Sequence, residues 1–235
     1  MTATHHDRLT PDEARRALYI DFEGGKGKPP ALLGCLRRKH IGKTWQYIAD
    51  PAFATLAVKD SLEAMTVADV VERILQRAAK HDRRIVAWSN HELDVIRAYC
   101  PEHVQAFEAR YVNARSLAVR WRNRCHAGAK PPSNTLADYQ ALIGFVVPAG
   151  AEAGKVGDTL TSIGKSLALG KTADQLTDNQ RRRWTELRMH NASDCAGMRE
   201  ICLVAATEIA DHEARHAARP TRRKRRRRRR REIGS

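Results

Sequence analysis

Ala17-Leu18-Tyr19-Ile20-Asp21-Phe22-Glu23, followed at once by Gly24-Gly25, is the stretch on which the fold of this chain turns. A run this apolar, rich in aromatic and β-branched residues and stopped by glycines, predicts a buried strand. Side chains two apart on a strand share a face, roughly 6.5–7 Å apart. Asp21 and Glu23 therefore point one way, and Ile20 and Phe22 point the other way into a core. Two carboxylates on one face at the end of a buried strand repel each other and are costly to desolvate. Divalent metal ions would relieve both costs. A wet strand end would relieve them too, and the stretch alone leaves both options open.

Working outward, 235 residues with 42% hydrophobic content suffice for one domain of moderate size plus tails. The expected division is a disordered leader over 1–14, one folded domain over 15–212 and a disordered Arg-rich tail over 213–235. His5-His6 falls in the leader, where adjacent histidines rarely make a metal site. No segment approaches eighteen consecutive apolar residues, and Met1 to Arg16 is polar and charged. A membrane span is excluded on that pattern, and no signal peptide is expected. Five cysteines, at 35, 100, 125, 195 and 202, form no C-x-x-C pair. They read as reduced thiols of a cytoplasmic protein rather than a disulfide or zinc framework. The formal net charge is +15, and residues 215–235 carry eleven arginines and one lysine against Glu232 alone. The folded part is thus only mildly basic.

Beyond the first strand, Gly24–Pro30 lacks the spacing of a phosphate-cradling loop and reads as a hairpin connection. Ala31–Leu36 and Thr44–Ile48 are further strand-like runs joined by the basic turn Arg37–Lys43, which predicts an antiparallel meander. From Thr66 the period changes. Val67, Val70, Val71, Ile74, Leu75 and Ala78 fall at three-and-four spacing behind Thr66 as N-cap. A short strand at 84–88, a helix over 90–99 and a further short strand at 110–112 then imply parallel crossovers beside the meander. Leu136 to Ile143 predicts a short helix ending at Gly144. Asp158 or Thr159 caps a helix stopped by Gly170, and a long helix runs from about Thr177 to His212.

Two further stretches carry candidate chemistry. In Met189-His190-Asn191-Ala192-Ser193-Asp194-Cys195, His190 and Asp194 are four apart and face the same side of the last helix. Asp194 also stands four before Met198, in line with the apolar stripe of Met198, Ile201, Cys202, Ala205 and Ile209, so its carboxylate should point inward. In Trp88-Ser89-Asn90-His91-Glu92-Leu93-Asp94, two acids open a helix just after a strand. The positive end of a helix favours acids and accounts for at least one of them.

These stretches together, over roughly residues 16–210, resemble the DEDD superfamily of 3′–5′ exonucleases, whose fold is ribonuclease H-like. Asp21-Phe22-Glu23 resembles the family's D-x-E on the first strand, and His190 to Cys195 its Y-N-x-x-D-[VC] element. Leu136–Phe145 resembles the L-K-x-x-A-x-x-L-G-F helix between them. The middle acid is open. Asp94 fits H-N-x-x-F-D with one extra residue, whereas Glu92 fits without a gap the H-Y-x-H-Y-E form of ribonuclease H-like domains in bacterial nucleases. Leu93, Val95 and Ile96 follow Glu92 at +1, +3 and +4, the usual buried set, and so favour it. His190 stands where one branch has Tyr; the other branch has its His one residue earlier.

The resemblance implies an α/β ribonuclease H-like fold: a mixed five-stranded sheet, antiparallel meander plus parallel strands, flanked by helices. It implies two-metal hydrolysis of DNA or RNA phosphodiesters, with two Mg²⁺ or Mn²⁺ ions about 3.5–4 Å apart. Carboxylate oxygens suit those ions better than zinc. Asp21 would bridge both ions, Glu23 and Asp194 would complete one site, and Glu92 or Asp94 would hold the second through water. His190 would orient or deprotonate the attacking water. The run Arg222, Arg223, Lys224, Arg225, Arg226, Arg227, continuing to Arg231, should give sequence-independent, salt-sensitive affinity for nucleic acid. Lys26 and Lys28 are candidate phosphate contacts. A non-catalytic nucleic-acid-binding protein and a structure-directed endonuclease, both of the same fold, are the alternatives. No membrane attachment is expected, and protein partners are left open.

Overall fold

A computed structural model describes residues 7–25, 29–36, 44–129, 131, 133–151 and 156–218. Its first elements are helix α1 (Pro11–Arg16), strands β1 (Leu18–Gly24), β2 (Pro30–Leu36) and β3 (Thr44–Ile48), helix α2 (Ala54–Lys59) and strand β4 (Glu63–Ala64). There follow α3 (Val67–Lys80), β5 (Ile85–Ala87), α4 (His91–Tyr99), α5 (Val104–Glu108) and β6 (Tyr111–Asn113). The chain then turns helical, with α6 (Ala114–Cys125), α7 (Leu136–Leu142), α8 (Val156–Ala168) and α9 (Asp178–Ala218).

The strands form one mixed sheet in the order β4-β3-β2-β1-β5-β6. β1, β2 and β3 are the antiparallel meander, while β5 and β6 run parallel to β1. Helices cover both faces. On one face Tyr19, Leu36, Val86 and Val112 pack against Leu117 and Trp121 of α6 and Met198, Ile201, Cys202 and Ala205 of α9. On the other, Leu18, Ile20, Phe22 and Ile85 pack against Val70, Val71 and Ile74 of α3 and Leu93 and Ile96 of α4. Full burial of a side chain such as Ile20 or Phe22 stabilises by roughly 1.5–3 kcal/mol. That holds β1 at the centre of the sheet although its other face carries two acids.

The meander, the crossover at α3 and the helix ends at Gly144 and Gly170 agree with the sequence pattern. Both glycines adopt the left-handed conformation, at φ +70° and +80°. Four boundaries differ. The sheet has six strands rather than five, because Glu63–Ala64 pairs beside Tyr47–Ile48 and is too short to show a period. The supposed leader is ordered from residue 7. Thr10 caps α1 in a reciprocal box with Glu13, and Leu9 and Ala14 join the core. α8 begins at Val156, ahead of Asp158 and Thr159. α9 extends through residues 213–218 of the supposed tail, where Glu213 pairs with Arg120 and Arg124 of α6. His5, His6, Lys26, Lys28, the 37–43 turn and the run from Arg222 to Arg231 lie outside the described residues. Among the described residues, no helix is long and apolar enough to cross a membrane.

Candidate functional site

The alternation of β1 sends Asp21 and Glu23 to the face that α9 covers. The register sets Asp21 opposite Gly34 and Gly34 opposite Gln46, so all three lie on one line across the meander. Gly34 leaves a gap in that line, and Asn191 of α9 fills it. A Cβ on residue 34 would stand 2.2 Å from Asn191 Oδ1, closer than any non-bonded carbon and oxygen can approach. Fully buried, Asn191 donates from Nδ2 to the Asp21 carbonyl oxygen at 3.0 Å and to Asp21 Oδ2 at 2.9 Å. Its Oδ1 accepts from Gln46 Nε2 at 3.1 Å. Gln46 in turn is held by Arg188, whose guanidinium pairs with Asp60 at 2.8 Å. A buried amide with both ends bonded fixes a single orientation for the carboxylate it touches.

On the residue before Asn191, and one helical turn before Asp194, His190 Nε2 lies 3.5 Å from Asp194 Oδ2 and 4.0 Å from Glu23 Oε1. Its Nδ1 is 3.1 Å from the Ala151 carbonyl oxygen. A carbonyl oxygen only accepts, so Nδ1 carries a proton and Nε2 is the nitrogen turned toward the acids.

α4 separates the two candidate middle acids. Glu92 is 3% exposed, and among the described residues its Oε2 has no hydrogen-bond partner. Asp94, with its side chain 65% exposed, pairs with Arg97 at 3.0 Å and stands outside the cluster. The helical period is the reason: Glu92 shares the inward side with Leu93, Val95 and Ile96.

The carboxylates gathered here bear on one another. Burial, then the charges of Asp21 and Asp194, holds Glu23 well above the ordinary carboxylate range. Burial, then Asp21, pushes Glu92 and Asp194 each up to about 8. Asp21 is raised by burial, an effect that His190 and the Asn191 hydrogen bond oppose. An acid whose pKa is higher folded than unfolded holds its proton more tightly when folded. Its stabilising contribution is complete below the unfolded pKa and is lost as the pH rises through about 8. In EDTA the melting temperature should therefore fall by roughly 5–10 °C between about pH 5.5 and about pH 8.5. Glu92→Gln should make that fall shallower, and Mn²⁺ should reverse it at the alkaline end. Thermal melts across the pH range check this, and equal slopes for wild type and variant would contradict it.

In donor type the cluster suits a hard divalent cation: hard oxygen ligands, one of them a buried oxygen without a partner among the described residues, in a field that disfavours four bare negative charges. Among the described residues, no three His, Cys, Asp or Glu side chains form a ready-made ligand group. In the sequence Asn191 stands out only as part of a motif, while Gln46 and Gly34 carry no signal of their own. Their roles depend on register across three strands and a helix more than 140 residues later. No protein-family model, curated protein or solved structure matches the chain.

Proposed function

We propose that the chain is a metal-dependent nuclease of ribonuclease H-like fold, acting on DNA or RNA as a 3′–5′ exonuclease. One arrangement carries this: α9 brings Asn191 onto the Asp21 carboxylate and sets His190 Nε2 4.0 Å from Glu23 and 3.5 Å from Asp194, while Glu92 from the first turn of α4 is buried within reach of the Asp21 charge. Sequence distances of about seventy and about one hundred residues separate them, so local helix or strand chemistry does not account for the convergence. The order of elements, a meander followed by two strands parallel to β1, supports the same fold family.

Asp21, Glu23, Asp194 and Glu92 would hold the two ions, with Glu92 preferred over Asp94 because Asp94 is spent on Arg97. Such ions supply a hydroxide nucleophile at neutral pH and stabilise charge on the leaving oxygen. The protein's own part is positional. Asn191 fixes the Asp21 carboxylate, the sheet and α9 restrict water around Glu23, and His190 Nε2 is within reach of a proton on a water beside Glu23 or Asp194.

With end-labelled single strands and Mg²⁺ or Mn²⁺, wild type should shorten substrates stepwise from the 3′ end. Glu92→Gln should lower the rate at least about a hundred-fold, and Asp94→Asn should stay within about three-fold. The reverse ranking would remove Glu92 from the mechanism. A non-catalytic nucleic-acid-binding protein is the second reading. It is favoured by the lack of a ligand-ready trio among the described residues, and wild type inert with both ions would establish it.

A further inference from the structure

At the carboxyl ends of β5 and β6, beside the acid cluster, lies a cavity of about 740 Å³. Ligands of open α/β sheets favour crevices at this end of parallel strands. Its floor is tied together by Asn90 Oδ1, which accepts from Asn113 Nδ2 at 2.8 Å. Its wall is the outward side of α6, where Arg115, Arg120 and Arg124 line the space while Leu117, Ala118 and Trp121 face the core. Among the described residues, none that lines it is acidic. Glu213 pairs with Arg120 and Arg124 together, and among the described residues Arg115 has no carboxylate partner, so positive charge is in excess. Ser89 joins the cavity to the cluster: it lines the cavity three residues before Glu92, and its carbonyl oxygen accepts from the Tyr111 hydroxyl at 2.5 Å.

We infer that this cavity receives a single-stranded nucleic acid, whose backbone runs from the acid cluster across the ends of β5 and β6 onto Arg115 and Arg124. The volume far exceeds a bare phosphate and admits a nucleotide. Arginines supply paired donors for phosphate oxygens, and the asparagines offer donors and acceptors to base edges. The assignment rests on the nuclease reading above, and its test is run without divalent metal so that the two fail separately.

The probe is a twelve-nucleotide single strand, in DNA and RNA versions, carrying a photoactivatable thiopyrimidine, mixed with the full chain in EDTA. Cross-linked peptides are then identified by mass spectrometry. Adducts are expected within residues 113–124. Arg115→Glu should weaken binding about ten-fold, and Arg115→Glu with Arg124→Ala should lower the salt slope by about 1.4, at roughly 0.7 per phosphate contact. An acid at the second position of α6 favours the helix, so the loss is not attributable to unfolding. Adducts confined to residues 219–235, unchanged binding by Arg115→Glu, or equal competition by inorganic phosphate or a mononucleotide would each overturn the assignment. Labelling of 113–124 by a chain that cleaves nothing in Mg²⁺ or Mn²⁺ would keep the groove and remove the nuclease.

Discussion

Asp21→Ala is expected to abolish metal-dependent phosphodiester hydrolysis, by at least about a thousand-fold, which corresponds to roughly 4 kcal/mol of transition-state stabilisation. Asp21 is the acid whose charge reaches all the others: it raises Glu23, Glu92 and Asp194 alike. Its removal relieves repulsion in the metal-free protein, so the folded state should lose nothing in EDTA at about pH 8 and should gain a few degrees in melting temperature. Asn191 keeps its bond to the residue 21 carbonyl oxygen, so β1 and α9 remain joined. The signature is therefore opposite signs, with activity lost and stability kept or raised. Cleavage assays and melts on the same preparations read both, alongside an unchanged circular dichroism spectrum. A variant that retains turnover would show that Asp21 is a half-buried acid and nothing more. Asp21→Asn, which keeps volume and hydrogen bonding, should be equally inactive.

The largest effect on stability should come from Gly34→Ala. The added methyl carbon would meet Asn191 Oδ1 at 2.2 Å and Cγ at 2.9 Å. Asn191 has nowhere to retreat, because Asp21 and Gln46 hold its two ends. Overpacking of this kind costs about 1–3 kcal/mol, and breaking the amide's buried hydrogen bonds adds to it. A cost of about 3 kcal/mol lowers the melting temperature by roughly 6–12 °C in a chain of this size. Any variant that does fold should lose activity as well, since the Asp21 carboxylate loses the donor that orients it. Gly34→Ala combined with Asn191→Gly should recover stability without activity. Full stability of the single variant would contradict the close approach of α9 to β2.

Periodicity explains which parts of this could be read from the sequence. Asp21 and Glu23 followed from the alternation of one strand, Asp194 from its alignment with Met198, and the preference for Glu92 from the buried set behind it. Each is a local pattern that burial imposes on neighbouring residues. The short pieces were not legible for the complementary reason. Six residues in α1 and two in β4 are too few to display a period, although Thr10-Pro11-Asp12-Glu13 does carry a capping box. The Asn191–Gln46–Gly34 contact was beyond reach because it needs the register of the meander and the height of α9 above it. Asp94 shows how local patterns compete: a motif with one extra residue pointed to it, and the helical period turned it toward Arg97.

A structure determined with Mn²⁺ and read by anomalous scattering tests the central claim most directly. Mn²⁺ is expected among Asp21, Glu23, Glu92 and Asp194, with Asp94 still on Arg97. Saturating Mn²⁺ that leaves these four carboxylates without an ion, or that binds at Asp94 instead, would contradict it.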